Sequence, residues 1–141
     1  MHRPLSSLKP LTLLSVVIPA RDEEGSVGTT VEHLHATLQA RGIPHEILVV
    51  NDGSGDGTWA MLQALQQRVR ELRPINNEGP NGFGRAIVCG LNETKGDAVV
   101  IMMADESDSP EDVVRYWDKL KLHISADVHR IIEGSETGAI L

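Results

Sequence analysis

Apolar residues along the chain fall into short continuous runs alternating with helical stripes. Leu13–Ile18 is a short run, apolar but for Ser15 and closed by Pro19, the pattern of a strand buried on both faces. After the polar ARDEEG, Val27, Val31, Leu34 and Leu38 recur at spacings of four, three and four, which predicts an amphipathic helix. Ser26 is placed to cap it and Gly42 to end it. Glu46–Val50 (EILVV) predicts a second buried strand, followed by the turn-rich NDGSGDG and a helix marked by Trp59, Leu62, Leu65 and Val69. Leu72–Ile75 predicts a third strand, which Pro74 confines to a sheet edge. NNEGPNGFG reads as a loop, Arg85–Glu93 as a helix and Asp97–Met103 as the strongest strand. Ser109-Pro110-Glu111-Asp112 then opens a helix with a capping serine, a proline at the first position and an early acid, and Val113, Trp117 and Leu120 continue its apolar face. VHRII, from Val128, predicts one further strand before a small, polar end. Strands that are apolar throughout, alternating with helices, imply an α/β fold on a mostly parallel sheet with helices on both faces.

Length and charge narrow the picture. The 141 residues suit one domain, read here as residues 13–141 behind an extension of residues 1–12. A formal net charge of −7 argues against nucleic acid as a partner, since phosphate-backbone binding needs clustered Lys and Arg. The single cysteine, Cys89, precludes an internal disulfide and is expected to pack as a small apolar residue. LLSVVIPA and AVVIMMA fall short of the ~20 residues that span a bilayer. His2, Arg3 and Lys9 ahead of Leu11–Ile18 imitate a signal peptide, but ARDE is a poor cleavage site and the run reads better as a strand. The expectation is a cytoplasmic protein.

In parallel α/β sheets, ligands bind outside the carboxyl ends of the strands. The three strong strands end in ARDEE, NDGSGDGT and ADESD, which supply Asp22, Glu23, Glu24, Asp52, Asp56, Asp105, Glu106 and Asp108. So many carboxylates repel one another unless a cation or hydrogen-bond donors lie among them, and oxygen ligands favour Mg²⁺ or Mn²⁺. Blander readings stay open: Asp52 and Asp56 as caps of turns and a helix, Asp105 and Asp108 as a solvated loop, Glu23 and Glu24 as partners of a helix dipole. No GK[ST] occurs, which excludes a P-loop. Gly55–Ala60 fits G-x-G-x-x-A, so a dinucleotide site also stays open, although it follows the second strand rather than the first. The histidines show no metal-ligand spacing, and Trp59 and Trp117 are expected in the core.

Taken together, VVIPARDEEGSV, EILVVNDGSGDGT, NEGPNGFGRAIVCGL and GDAVVIMMADESDSPEDV, in that order, resemble the nucleotide-binding half of family 2 glycosyltransferases. These have the GT-A fold with a Rossmann-like sheet, and the likeness is nearest to the dolichol-phosphate (polyprenyl-phosphate) mannosyltransferase group. It covers about residues 13–122. The resemblance implies transfer of a sugar from a nucleoside diphosphate sugar, GDP-mannose or a UDP-hexose, to a polyprenyl phosphate at the inner face of the membrane. It also implies a nucleotide-sugar pocket built from Pro19, Arg21, Glu23, Val50, Asp52, Met103, Ala104 and Asp105, with Mg²⁺ or Mn²⁺ at Asp105 and Ser107. No catalytic residue is assigned.

The chain departs from the family pattern in three places. Asp22 stands where the family usually has Asn, and Met103-Ala104-Asp105 replaces the usual D-A-D, losing one acid. Ile131–Ser135 occupies the place of a strand ending in G-S-R, with Glu136 where Arg would stand. The catalytic domain of the family is also longer, so the fold is expected to be incomplete at the carboxyl end. An exposed sheet edge and a homodimer would follow from that. A catalytically inactive nucleotide-sugar-binding module is therefore the alternative reading.

Overall fold

A computed structural model of the chain describes residues 11–126, with side chains to residue 122. Its elements run β1 (Leu14–Ala20), α1 (Val27–Ala40), β2 (His45–Asn51), α2 (Thr58–Gln66), β3 (Leu72–Asn76), α3 (Phe83–Leu91), β4 (Ala98–Ile101) and α4 (Pro110–Ala126). The strands form one parallel sheet in the order β3-β2-β1-β4. Every residue of β1 and β2 is buried, because helices cover both faces of these central strands. On one face Val16, Ile18, Ile47 and Val49 pack with Val27, Val31, Leu34 and Leu38 of α1, Leu62 and Leu65 of α2, and Val113, Trp117 and Leu120 of α4. On the other, α3 is the one helix among the described residues that lies on β1 and β2, where Val17, Val50, Ala86 and Val99 form a smaller cluster flanked by half-buried Cys89.

The order follows from chain handedness. Right-handed crossovers carry β1 to β2 and β2 to β3 in one direction. The return to β4, on the far side of β1, sets α3 on the opposite face. The direction of winding therefore reverses between β1 and β4, and a crevice opens at their carboxyl ends.

Local chemistry moves several element ends. β1 does not stop at Pro19 but runs through it to Ala20, paired with β2 as far as Asn51. Ala20 O accepts the Asp52 N–H on the β2 side (2.9 Å), whereas Val17 O accepts the Met102 N–H on the β4 side (3.0 Å). Neighbouring residues of a strand alternate between partners, so Pro19 faces the β4 side, where pairing has already ceased at Val17↔Ile101. Its missing N–H is the donor that a longer ladder to β4 would need next. β4 is shorter than expected, ending at Ile101, and just beyond it the Met103 N–H bonds Asp108 Oδ2 (2.8 Å). α3 begins two residues early, at Phe83, with the Ala86 N–H on Gly82 O (2.9 Å).

Caps divide in the same way. Gly42 (φ +66°) ends α1 as expected, its N–H on Gln39 O and that of Ile43 on Leu38 O, both 3.0 Å. Ser109 caps α4 through Glu111 N–H (3.2 Å). Ser26 occupies the cap position of α1, but its side chain makes no capping bond. β3 lies at the sheet edge, consistent with Pro74. Among the described residues, no helix is long and apolar enough to cross a membrane. The expected VHRII strand and the Ile131–Glu136 stretch lie outside the described residues.

Candidate functional site

Four loops meet at the carboxyl end of the sheet: residues 21–26 after β1, 52–57 after β2, 77–82 after β3 and 102–109 after β4. Their carboxylates are not a bare cluster. The first two loops are laced together by hydrogen bonds: Gly55 N–H to Asp22 Oδ1 (2.6 Å), Asp22 N–H to Ser54 Oγ (3.0 Å), Glu23 N–H to Thr58 Oγ1 (2.9 Å) and Glu24 N–H to Asp56 Oδ2 (3.3 Å). Asp22 has φ +55°, a left-handed conformation that Asn and Asp tolerate better than most residues, so Asp serves where the family usually has Asn. Asp56 also takes the Thr58 N–H (3.0 Å) at the start of α2, the capping role that sequence left open for it.

Asp52 is 4% exposed and holds the third loop with both oxygens: Oδ1 accepts from Asn77 Nδ2 and Oδ2 from the Gly82 N–H, each at 3.0 Å. Beside it, Gly53 (φ +71°) gives the chain its turn and leaves room for Asn81, whose amide lies 2.5 Å from where a Cβ would stand. Across the sheet, Asp105 Oδ1 accepts the Ser107 N–H (3.0 Å) and Asp108 Oδ2 the Met103 N–H. The hydroxyl of Ser107 draws the Asp105 carboxyl below its ordinary pKa, and that of Thr58 does the same for Asp56. Donors, mostly backbone N–H groups, thus relieve the self-repulsion that composition alone implies.

The expected pocket residues divide accordingly. Pro19 lies where β1 and β4 part, Arg21 and Asp105 are exposed at the mouth, and Glu23 is half-buried with the Ser26 hydroxyl on its Oε2 (2.7 Å). Ala104 is buried and Met103 half-buried. The Val50 side chain is fully buried beneath α3 and takes no part in the mouth. Sequence reasoning missed the residues that tie the loops together, above all Asn77, Thr58, Ser26 and Thr30. One signal was present: Thr30 interrupts the otherwise apolar buried face of α1.

Among the described residues, no three His, Cys, Asp or Glu side chains converge on a point that could hold a metal ion. The metal donors expected after β4, Asp105 and Ser107, supply a single carboxylate, and both are exposed. Mg²⁺ commonly takes one or two carboxylates and completes its shell with water and substrate phosphates. The residues present fit a cation shared with a diphosphate, and not a closed protein cage. The dinucleotide reading fares worse. The Gly55 N–H is already taken by Asp22, and Glu24 Oε2 lies 2.5 Å from the Cβ position of Gly57, so a pyrophosphate there would meet two carboxylates.

Residues 15–139 match the family model described as glycosyl transferase family 2. The chain belongs to that family. As a family 2 glycosyltransferase chain it is 33% identical over 113 residues to the undecaprenyl-phosphate 4-deoxy-4-formamido-L-arabinose transferase of Edwardsiella ictaluri, covering 79% of this chain and 34% of that protein. It is 31% identical over 108 residues to the dolichol-phosphate mannosyltransferase of Pyrococcus furiosus, covering 77% and 30%. The solved glucosyl-3-phosphoglycerate synthase of Mycobacterium tuberculosis, in complex with Mn²⁺, UDP and phosphoglyceric acid, superposes with a TM-score of 0.60 at 26% identity, covering 73% of this chain and 37% of that one. The family 2 chain thus has the α/β sheet of GT-A glycosyltransferases and spans about a third of the length of these relatives.

Proposed function

We propose that this family 2 glycosyltransferase chain binds a nucleoside diphosphate sugar across the carboxyl ends of β1, β2 and β4 and serves transfer of a hexose to a polyprenyl phosphate. The observation that carries the reading is the exposed Asp105 carboxylate beside the parting of β1 and β4, within a family whose members here include two transferases named for polyprenyl acceptors. Pro19, Arg21 and Glu23 would line the nucleoside side. Asp52 would act chiefly by holding the 77–82 loop, since both its oxygens are engaged there. Asp105, with Ser107, would hold Mg²⁺ or Mn²⁺ against the diphosphate. A divalent ion there supplies charge stabilisation for the departing phosphate. A phosphate acceptor arrives already ionised and needs no general base, which suits the proposed acceptor. Such an acceptor would hold the chain at the inner face of the membrane.

Met103 in place of an acid favours a second reading, a binding module that does not complete transfer. Calorimetric titration of GDP-mannose and UDP-glucose, with and without Mn²⁺, tests both. The expected result is Mn²⁺-dependent binding of one donor that Asp105→Asn weakens at least tenfold, because the variant keeps the shape and loses the charge. Folded protein that binds neither donor under any condition would sink the proposal. Metal-dependent binding without transfer to a polyprenyl phosphate would favour the module.

A further inference from the structure

Among the described residues, hydrogen bonds tie the turn that carries Asp105 to the rest of the protein at one point. Ala104, 2% exposed, presents its carbonyl oxygen to two hydroxyls of α1: Thr30 Oγ1 and Ser26 Oγ, each at 3.0 Å. The other hydrogen bonds described for residues 103–108 are internal to the turn, Met103 N–H to Asp108 and Ser107 N–H to Asp105. Ser26 has a second acceptor, Glu23 Oε2 at 2.7 Å, and only one proton to give. A charged carboxylate is the stronger acceptor, so the Ser26 proton resides with Glu23. Thr30, 3% exposed, is then the committed donor to Ala104.

Position along the turn gives this bond its leverage. Asp105 directly follows the tethered carbonyl, and Glu106 adopts φ +65°, so the chain reverses immediately beyond it. A cavity of about 290 Å³, lined by Thr30, His33, Met102, Glu106, Ser107 and Asp108, leaves the turn room to shift if the tether is cut.

We infer that Thr30 is a positioning residue, whose hydroxyl fixes the Ala104 peptide and so sets the direction in which Asp105 meets the metal and diphosphate. The inference rests on the role proposed for Asp105, and the test separates the two. Thr30→Val removes the hydroxyl at nearly constant shape, and Thr30→Ser restores it. On the full chain, NMR relaxation dispersion is expected to show exchange broadening confined to residues 103–108 in Thr30→Val and absent in Thr30→Ser. Mn²⁺-dependent donor affinity is expected to fall about fivefold in Thr30→Val, the effect of one ordinary hydrogen bond, and to return in Thr30→Ser. Metal-independent binding should stay at the wild-type level in both variants. Unchanged amide signals, unchanged Mn²⁺-dependent affinity, or an equal loss with and without metal would each overturn the inference. Local broadening in a protein whose wild type binds no donor would overturn it too, as a metal-positioning role, and would fail the proposed function as well.

Discussion

Glu46→Ala is expected to lower the free energy of unfolding by about 3 kcal/mol, read from urea denaturation at neutral pH. Glu46 is 6% exposed on β2, near the amino end of the sheet and far from the acidic loops. Its Oε2 accepts the Ser15 hydroxyl and the Lys95 N–H, both at 2.6 Å, and its Oε1 accepts from Arg73 Nη1 at 2.7 Å. One side chain therefore joins β1, β2, β3 and the connection into β4. Deleting it leaves the buried Ser15 hydroxyl and the Lys95 N–H without their acceptor and costs the Arg73 guanidinium its closest carboxylate, leaving it Glu93 O at 2.7 Å and Glu93 Oε2 at 3.8 Å. Burial alone would raise the Glu46 pKa; the hydrogen bonds from Ser15, Lys95 and Arg73 outweigh it and hold the carboxyl below its ordinary value. A carboxyl depressed in the folded state stabilises above its unfolded pKa of about 4.5 and loses that contribution as pH falls through the lower folded value. Glu46→Gln should flatten this acid limb below about pH 4.5.

A separate, earlier limb comes from His45, whose pKa is lowered chiefly by burial, which together with a smaller push from neighbouring His35 outweighs the opposite pulls of Ile43 O and Glu71. As pH drops below about 6.5 the unfolded chain takes up a proton that folded His45 resists, so stability falls there first. Unfolding curves of the wild type that decline in a single step below pH 4 would contradict this separation.

Gly90→Ala is expected to cost about 1–3 kcal/mol despite the better helix propensity of alanine. Gly90 and Ala86 form the small-residue face on which α3 rests on the sheet. A Cβ at Gly90 would stand 2.6 Å from Val17 Cγ1 and 3.0 Å from Val50 Cγ2, both on fully buried strands. Helix or strand must move, and α3 is the only described helix on that face. Val17→Ala removes the closer methyl, so the double variant should lose less than the two single variants combined. Strictly additive losses in a thermal-unfolding cycle would count against this packing account.

Much of this architecture is legible in the sequence because the strands are buried on both faces and the helices on one. LSVVIPA and EILVV carry the first signal, and Val27, Val31, Leu34 and Leu38 the second. The loop ends are less legible, since they depend on which of several nearby acceptors each donor meets once the loop has folded. Nothing near Met103 announces that its N–H will turn to Asp108. Nothing near Ser26 announces that its hydroxyl will serve Glu23 rather than cap its own helix. The candidate site divides along the same line. The acids at the strand ends could be seen in the sequence, whereas the backbone donors that neutralise their mutual repulsion appear only when three loops are folded against one another. Glu46 was hidden for a different reason: within EILVV it looks like the polar start of a strand, and its partners lie 27 to 49 residues further on, or 31 back.

Pro19 shows how a covalent detail can maintain an opening. Two parallel strands with complete sets of donors tend to zip for as long as the chain allows, and a zipped β1–β4 pair would have no crevice at its end. Pro19 removes the next tooth. By presenting no N–H where β4 would continue, it limits the length of the seam between β1 and β4 while leaving the seam with β2 intact as far as Asn51. The mouth of the fold is thus kept open by a group that the chain withholds, with no loop or ligand required to wedge the strands apart.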